Sequence, residues 1–116
     1  MSVAKEQKQF TKCIAELILW AYTELKVELT LGDGYRDPRL HGEFGTKLGY
    51  GASKSVHKLR LAMDLNLFVD GKYITDSSHP MYIKLGEYWE TCHPLARWGG
   101  RFRDANHFSF EMWGCK

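Results

Sequence analysis

Cysteine is scarce in this sequence, and its few copies lie far apart. Cys13, Cys92 and Cys115 are the only three among 116 residues, and no two of them form a C-x-x-C pair. Disulfide frameworks use even numbers of cysteines, and cysteine-rich zinc sites use closely spaced ones. The sequence therefore predicts neither, and it favours a reduced, intracellular place of synthesis.

The chain also lacks a dense basic segment and a long apolar one. Its net charge is +2 and its lysines and arginines are scattered, so we expect no nucleic-acid partner. The apolar residues 14–22 contain Glu16 and fall short of the roughly 20 residues that a membrane span requires. No small-residue cleavage site follows them. We therefore predict no stable membrane insertion and no export signal.

Neither an internal repeat nor a Gly/Ser-rich or Pro-rich linker divides the sequence. With 44% hydrophobic and 26% charged residues, the composition is that of an ordinary globular protein. A chain of 116 residues is large enough for one modest core and one cleft, but too small for a separate binding domain. We expect a single domain over residues 1–116 that acts as a monomer.

Hydrophobic periodicity predicts a mixture of helices and strands. Apolar residues recur every three or four positions between Phe10 and Leu25, which is typical of an amphipathic helix. The full prediction comprises helices over residues 5–25 and 82–89, strands over 26–31, 59–68, 73–74 and 107–113, a hairpin turn at 69–71, and a loop over 37–54 with a short helical turn within 39–48. This pattern indicates an α+β fold with a small, mainly antiparallel sheet and flanking helices.

Two histidines and one aspartate stand out as candidate metal ligands. His57 and Asp64 lie in the run SVHKLRLAMD, and His107 closes the run WGGRFRDANH. Three protein ligands are typical of a hydrolytic zinc site, because such a site keeps its fourth position for water. Alternation along the strand at 59–68 places Asp64 on the face away from the leucines, beside the small Ala62. We expect the strands of Asp64 and His107 to lie close together in one sheet.

The motifs Ser-x-His-x-x-x-x-Ala-x-Asp, Trp-Gly-Gly and Asp-x-x-His-Phe follow a Gly-Tyr-Arg triplet at 34–36. In this order they resemble the M15 family of zinc peptidases, and the resemblance spans residues 29–110. It implies a Hedgehog/DD-peptidase-like fold and a catalytic Zn²⁺. It also implies roles for individual residues, with His57, Asp64 and His107 as zinc ligands, Asp104 as the catalytic acid and base, Arg36 as the substrate-binding arginine and Ser55 as a residue that lines the pocket.

We also make predictions for other residues in or near these motifs. Trp98 precedes Gly99-Gly100, and we expect it at the rim of the cleft, in contact with substrate. Arg36 would either stabilise an oxyanion or grip a substrate carboxylate with two hydrogen bonds, and the sequence leaves both roles open. The family usually has serine where this chain has Asp33 and glycine where it has Arg60. Arg60 shares the predicted face of Asp64, so it would form an ion pair there or belong to a changed pocket.

The resemblance implies a peptidoglycan hydrolase whose partner is the bacterial stem peptide. It favours a phage or prophage endolysin that cuts between L-alanine and D-glutamate. Such an enzyme would be made in the cytoplasm of the bacterial host and would act on the cell wall after release, as expected for a chain without an export signal. A D-alanyl-D-alanine carboxypeptidase or dipeptidase is an alternative, and so is a zinc-stabilised binding module without catalysis.

Competing patterns in the sequence are weaker. Residues 55–58 also fit the S-x-x-K motif of serine penicillin-interacting enzymes, but the partner motifs S-D-N and K-T-G are absent. Cys92 and His93 are adjacent, and neighbours in sequence seldom form a thiol nucleophile with its base. The remaining histidines have no partner at ligand spacing, and we expect all of them to be surface residues: His41, His79 and His93.

Overall fold

A computed structural model describes residues 3–47 and 52–116. Its helices are α1 (Ala4–Trp20), α2 (Pro38–His41) and α3 (Pro80–Cys92), and α1 continues into a π-helical turn at Ala21–Leu25. The strands are β1 (Glu28–Leu31), β2 (Ala62–Val69), β3 (Lys72–Ile74), β4 (Ala96–Trp98) and β5 (His107–Phe110), with 3-10 turns at Val56–Leu59 and Gly99–Phe102. Part of the predicted loop, residues 48–51, lies outside the described residues.

The five strands form a small antiparallel sheet in the order β1-β2-β5-β4, and β3 also pairs with β2. Leu67 in β2 is paired with Leu29 of β1 and with Ile74 of β3, so β1 and β3 lie on opposite edges of β2. Strand β5 pairs with the other end of β2, on the edge that β3 occupies. The predicted α+β fold with a small antiparallel sheet and flanking helices is confirmed.

Helices α1 and α3 cover one face of the sheet. Phe10 of α1 packs edge-on against Phe110 of β5, with ring centroids 5.2 Å apart, and Trp89 of α3 packs against Phe108 at 6.1 Å. His107 alternates with these phenylalanines and therefore projects to the opposite face. That opposite face of the sheet is where the candidate site lies.

The two predicted helices are both present, with different lengths. Helix α1 buries one stripe, as its periodicity predicts, and its π-helical extension ends at Lys26, whose φ is 56°. Helix α3 is longer than predicted at both ends. His79 precedes it and accepts a hydrogen bond from the Met81 main-chain N–H, and Pro80 occupies the first turn, where no N–H partner is needed.

Strand β2 begins three residues later than predicted. Alternating leucines at 59 and 61 suggested a strand, but Val56–Leu59 form a 3-10 turn. Arg60 ends that turn in the left-handed conformation, with φ of 57°, so the chain becomes extended only after it. The downstream hairpin is confirmed, because Asp70 and Gly71 both have positive φ, as an Asp-Gly turn requires.

Other strand predictions need correction. Strand β5 ends at Phe110 rather than at residue 113, because Trp113 and Gly114 take positive φ and turn the chain back. Strand β4 was not predicted, since three residues are too few to show a period of two. Leu31 was expected on a half-buried strand, but β1 is an edge strand and this side chain is 69% exposed. Within the described ranges, no helix has the length and apolar character needed to cross a membrane.

Candidate metal centre

Three side chains converge on the face of the sheet opposite the helices. Asp64 in β2 pairs with His107 in β5, and antiparallel partners project to the same face. His57 Nε2 lies 3.2 Å from Asp64 Oδ1, and His107 Nδ1 lies 3.5 Å from the same oxygen. One ligand atom from each residue lies within 4.8 Å of the other two. In the described part of the chain, no fourth histidine, cysteine or acidic side chain joins this group.

The outward-facing nitrogen of each imidazole is fixed by a main-chain oxygen. His57 Nδ1 donates to Gly34 O at 2.7 Å, and His107 Nε2 donates to Lys116 O at 3.1 Å. A carbonyl oxygen can only accept, so these partners assign the hydrogen to the outer nitrogen of each ring. The inner nitrogens, His57 Nε2 and His107 Nδ1, then carry the lone pairs. This second layer of hydrogen bonds is the usual way in which metal-binding histidines are oriented.

The donor set fits a divalent cation. With both histidines neutral, two nitrogen lone pairs and a carboxylate oxygen point at one another, and Asp64 Oδ1 is a buried atom with no hydrogen bond in the described structure. A cation or added protons must lie among them to offset this repulsion. In the metal-free protein, burial raises the pKa of Asp64, but protonation of His107 and His57 would supply hydrogen bonds that outweigh burial and lower it to about 2. Asp64 is therefore a carboxylate near neutral pH.

His57 owes its position to a local turn. Ser55 caps the 3-10 turn, since its Oγ accepts a hydrogen bond from the His57 N–H at 3.2 Å. The His57 carbonyl accepts from the Arg36 N–H at 3.2 Å, which attaches the turn to the segment after β1. Arg60 then closes the turn in the left-handed region, which favours glycine.

Arg60 does not share the site face with Asp64, contrary to the sequence interpretation. It precedes β2, and its guanidinium lies 4.0 Å above the ring of Tyr35. The predicted ion pair between Arg60 and Asp64 is wrong, because the strand alternation on which it rested begins only at Ala62.

Arg36 is held beside the cleft by two side chains. Its Nη1 donates to Ser55 Oγ at 3.1 Å, and its Nε lies 3.6 Å from the carboxylate of Asp33. The guanidinium side chain is 15% exposed, so a fixed positive charge faces a partly enclosed space. Asp33 and Ser55 therefore orient Arg36.

Asp104 lies next to the ligand group without joining it. Its Oδ2 is 3.9 Å from His107 Nδ1, and its side chain is 54% exposed. The Asp104 N–H donates to Gly99 O, and the Asp104 carbonyl accepts from the His107 N–H. A Cβ at Gly99 would lie 2.2 Å from the Asp104 carbonyl oxygen and 2.6 Å from His107 Cβ. Because residue 99 is glycine, Asp104 and His107 can lie close together.

A cleft of about 180 Å³ opens over this group, and the sequence analysis missed part of its lining. Lys54 and Lys116 bring positive charge to it, and the ring of Phe102 lies 5.8 Å from the His107 ring. Lys54 adjoins Ser55 and Phe102 lies two residues before Asp104, and this proximity in sequence is the signal that could have indicated them. Lys116 has no such signal, because it approaches only through the turn at residues 112–115.

Trp98 is not at the cleft rim, where the sequence analysis expected it to contact substrate. Its side chain is 2% exposed, and its Nε1 donates to Ala105 O at 2.7 Å. Gly86 and Gly100 leave space for the indole, since a Cβ on either would lie within 2.2 Å of its ring. Trp98 is a core residue, and the glycines beside it serve the packing of its ring.

The S-x-x-K interpretation has no geometric support. Lys58 is buried, and its ammonium group donates to the main-chain oxygens of Glu43, Thr46 and Ser53. Those bonds turn it toward the loop. The hydroxyl of Ser55 is already occupied by His57 and Arg36.

The other histidines and Cys92 are not part of the candidate metal centre. His41 is 3% exposed, so its surface prediction is wrong; Arg39 and Leu40 take the exposed side of the short helix α2. His79 caps α3, and His93 stacks on Phe110 with ring centroids 4.3 Å apart. Burial raises the pKa of the Cys92 thiol to about 11, which removes the thiolate that a nucleophile requires.

Comparison with known proteins gives no assignment. No protein-family model matches the sequence, and no curated protein matches it. The convergence of His57, Asp64 and His107 is therefore the observation from which function must be argued.

Proposed function

We propose that this protein is a zinc-dependent peptidase that hydrolyses peptidoglycan stem peptides. The observation that carries the proposal is the group formed by His57, Asp64 and His107, with three converging ligand atoms beside an open cleft. Three ligands with a free coordination position are the arrangement of catalytic zinc, whereas structural zinc is usually enclosed by four. The resemblance to the M15 family, with its Hedgehog/DD-peptidase-like fold, belongs to the same proposal.

His57 Nε2, Asp64 Oδ1 and His107 Nδ1 would hold the ion. Two imidazoles and one carboxylate are ligands that Zn²⁺ accepts readily. Zinc in such a site supplies Lewis acidity and lowers the pKa of water toward about 7. The main-chain oxygens of Gly34 and Lys116 keep both rings in the required tautomer.

Asp104 is placed to move protons. It lines the cleft, and its carboxylate is close to His107 while remaining accessible to solvent. As general base it would accept a proton from the attacking water, whose oxygen bonds to the peptide carbonyl carbon. When the C–N bond breaks, the same carboxyl group would return that proton to the leaving nitrogen.

Arg36 supplies a fixed positive charge in the same cleft. Ser55 and Asp33 orient its guanidinium, so little reorganisation is needed when charge develops on the carbonyl oxygen. Lys54 and Lys116 add to the positive potential. A cleft of this charge suits the carboxylate-rich stem peptide of peptidoglycan, which is the substrate class that we propose.

The bond between L-alanine and D-glutamate is the cleavage site that we favour. The test is digestion of purified peptidoglycan, followed by mass spectrometry of the released fragments, with and without a zinc chelator. Separation of intact stem peptides from glycan strands supports the endopeptidase. Loss of one alanine indicates the carboxypeptidase instead, and no chelator-sensitive product contradicts the proposal.

A further inference from the structure

A second pocket of about 170 Å³ lies beside the first cleft. It occupies the gap between β3 and the segment that leads into β5, because both pair with the same edge of β2. Residues from the two sides line it, including Tyr73, Thr75, Tyr82, Arg103, Asp104 and Asn106.

Asp104 is the residue that both spaces share. Arg36 lines the first cleft and Arg103 the second pocket, while Asp104 lines both. Asp104 therefore lies between the two spaces. A substrate bound beside Asp104 in the first cleft lies next to the second pocket.

The chemistry of the proposed hydrolysis indicates which part of the substrate would occupy the second pocket. A general acid must lie within hydrogen-bonding distance of the nitrogen that it protonates. If Asp104 protonates the leaving amine, the residue that carries this nitrogen lies beside Asp104. The second pocket is then the space available to that residue, an inference that rests on the proposed function.

Arg103 is the cationic residue among those that line the second pocket. Its side chain is exposed, and within the described ranges its guanidinium has no ion pair. Two polar groups of the lining are engaged. The hydroxyl of Tyr82 bonds with the main chain of Leu65 and Leu67, and the amide nitrogen of Asn106 donates to Asn66. Arg103 is the cationic group that can pair with an incoming anion.

We propose that the second pocket binds the residue on the leaving side of the scissile bond, and that Arg103 pairs with a carboxylate on that residue. A guanidinium recognises a carboxylate through two parallel hydrogen bonds. Both candidate bonds share this chemistry. In L-alanyl-γ-D-glutamate and in D-alanyl-D-alanine, the carbon that bears the leaving nitrogen also bears a free carboxylate.

Matched synthetic peptides test this assignment. One pair is an L-alanyl-γ-D-glutamyl peptide and the same peptide with that α-carboxylate amidated, and the second pair is a D-alanyl-D-alanine peptide as acid and as amide. For the pair that is cleaved, the wild-type protein should show a KM roughly ten- to a hundredfold lower for the acid. Arg103→Gln should abolish the difference while still cleaving the amide, and Arg103→Lys should retain part of the difference.

Arg101→Gln is the matched control, because it removes the same charge from a residue two positions away that pairs with Glu90 instead. It should leave the preference unchanged. Equal KM values for acid and amide, or a preference that survives in Arg103→Gln, overturn the role of Arg103 and leave the peptidase proposal standing. If the wild-type protein cleaves neither pair nor peptidoglycan, both proposals are wrong.

Discussion

Asp64 and His107 lie directly opposite each other on neighbouring antiparallel strands, with Asp64 Oδ1 3.5 Å from His107 Nδ1. Two of the three candidate ligands are therefore positioned by the sheet itself. The third, His57, is positioned by a capped turn that is bonded to the segment after β1. Rigid elements of this kind hold side chains more precisely than loops do, as a metal centre requires.

Removal of a ligand and removal of the base should have different effects. His57→Ala should lose both zinc and peptidase activity, because two protein ligands bind zinc far more weakly than three. Asp104→Ala should keep zinc and lose turnover by roughly a hundredfold or more, the contribution of a positioned acid or base. Metal analysis of the purified variants and digestion of peptidoglycan measure the two effects separately. Full activity in either variant would contradict the assigned roles.

Alanine substitutions at Gly99 and Gly86 should separate effects on the metal site from effects on core packing. Gly99→Ala should weaken zinc binding, because its Cβ would push on the Asp104 carbonyl and His107. Gly86→Ala should destabilise the fold by about 1–3 kcal/mol through contact with the Trp98 ring, while the folded fraction still binds zinc. Zinc titration and thermal unfolding of both variants make the comparison. Equal zinc affinity in the two folded variants would remove the role given to Gly99.

Lys58 should contribute to stability and not to chemistry. Lys58→Met removes three charged hydrogen bonds to main-chain oxygens of the loop, and it should lower the free energy of unfolding by about 2–3 kcal/mol. Lys54→Met, which alters an exposed neighbour, is the control and should change stability little. Denaturant unfolding measures both. If Lys58→Met is as stable as the wild type, those hydrogen bonds do not hold the loop.

Tyr82 should make the fold sensitive to alkaline pH. Burial raises the pKa of Tyr82 to about 12, and its ordinary value is 10.0. Between these values the unfolded chain loses the phenol proton while the folded chain keeps it. Unfolding is therefore favoured as pH rises, by up to about 1.4 kcal/mol per pH unit. Below pH 10 this contribution to stability is fully present.

Tyr82→Phe provides the control for this pH dependence. It should be less stable at neutral pH, because it loses the hydrogen bonds with Leu65 and Leu67. Its free energy of unfolding should nevertheless fall less steeply between pH 10 and 12. Denaturant unfolding at several pH values measures both slopes, and parallel slopes would show that another group is responsible.

Much of the candidate site could be predicted because its residues lie in short motifs with fixed spacing. Asp64 and His107 both lie in segments where apolar and polar residues alternate, which predicted two strands of one sheet. The structure pairs these two strands. Arg36 was predicted in the same way, as the last residue of the Gly-Tyr-Arg triplet at 34–36. The orientation of Arg36 by Asp33 could not be predicted, since it depends on the path of the chain between β1 and the turn of His57.

The errors arose where non-local packing outweighs local pattern. The burial of Lys58 was not predicted, because lysine is normally exposed and its three main-chain oxygen partners lie in a loop whose course no periodicity encodes. Trp98 looked like a rim residue because Gly99 and Gly100 follow it, but Gly100 leaves space for its buried ring. Arg60 has a left-handed backbone conformation, so the strand begins only after it. The alternation of side chains in the sequence gives no information about this conformation.

The most direct test of the central claim is a crystal structure of the protein grown with zinc, with the ion located by its anomalous scattering. We predict one zinc ion per chain, bonded to His57 Nε2, Asp64 Oδ1 and His107 Nδ1, with a non-protein ligand in the remaining position. A zinc ion bound elsewhere, or one enclosed by a fourth protein ligand, would contradict the account of this site as a catalytic metal centre.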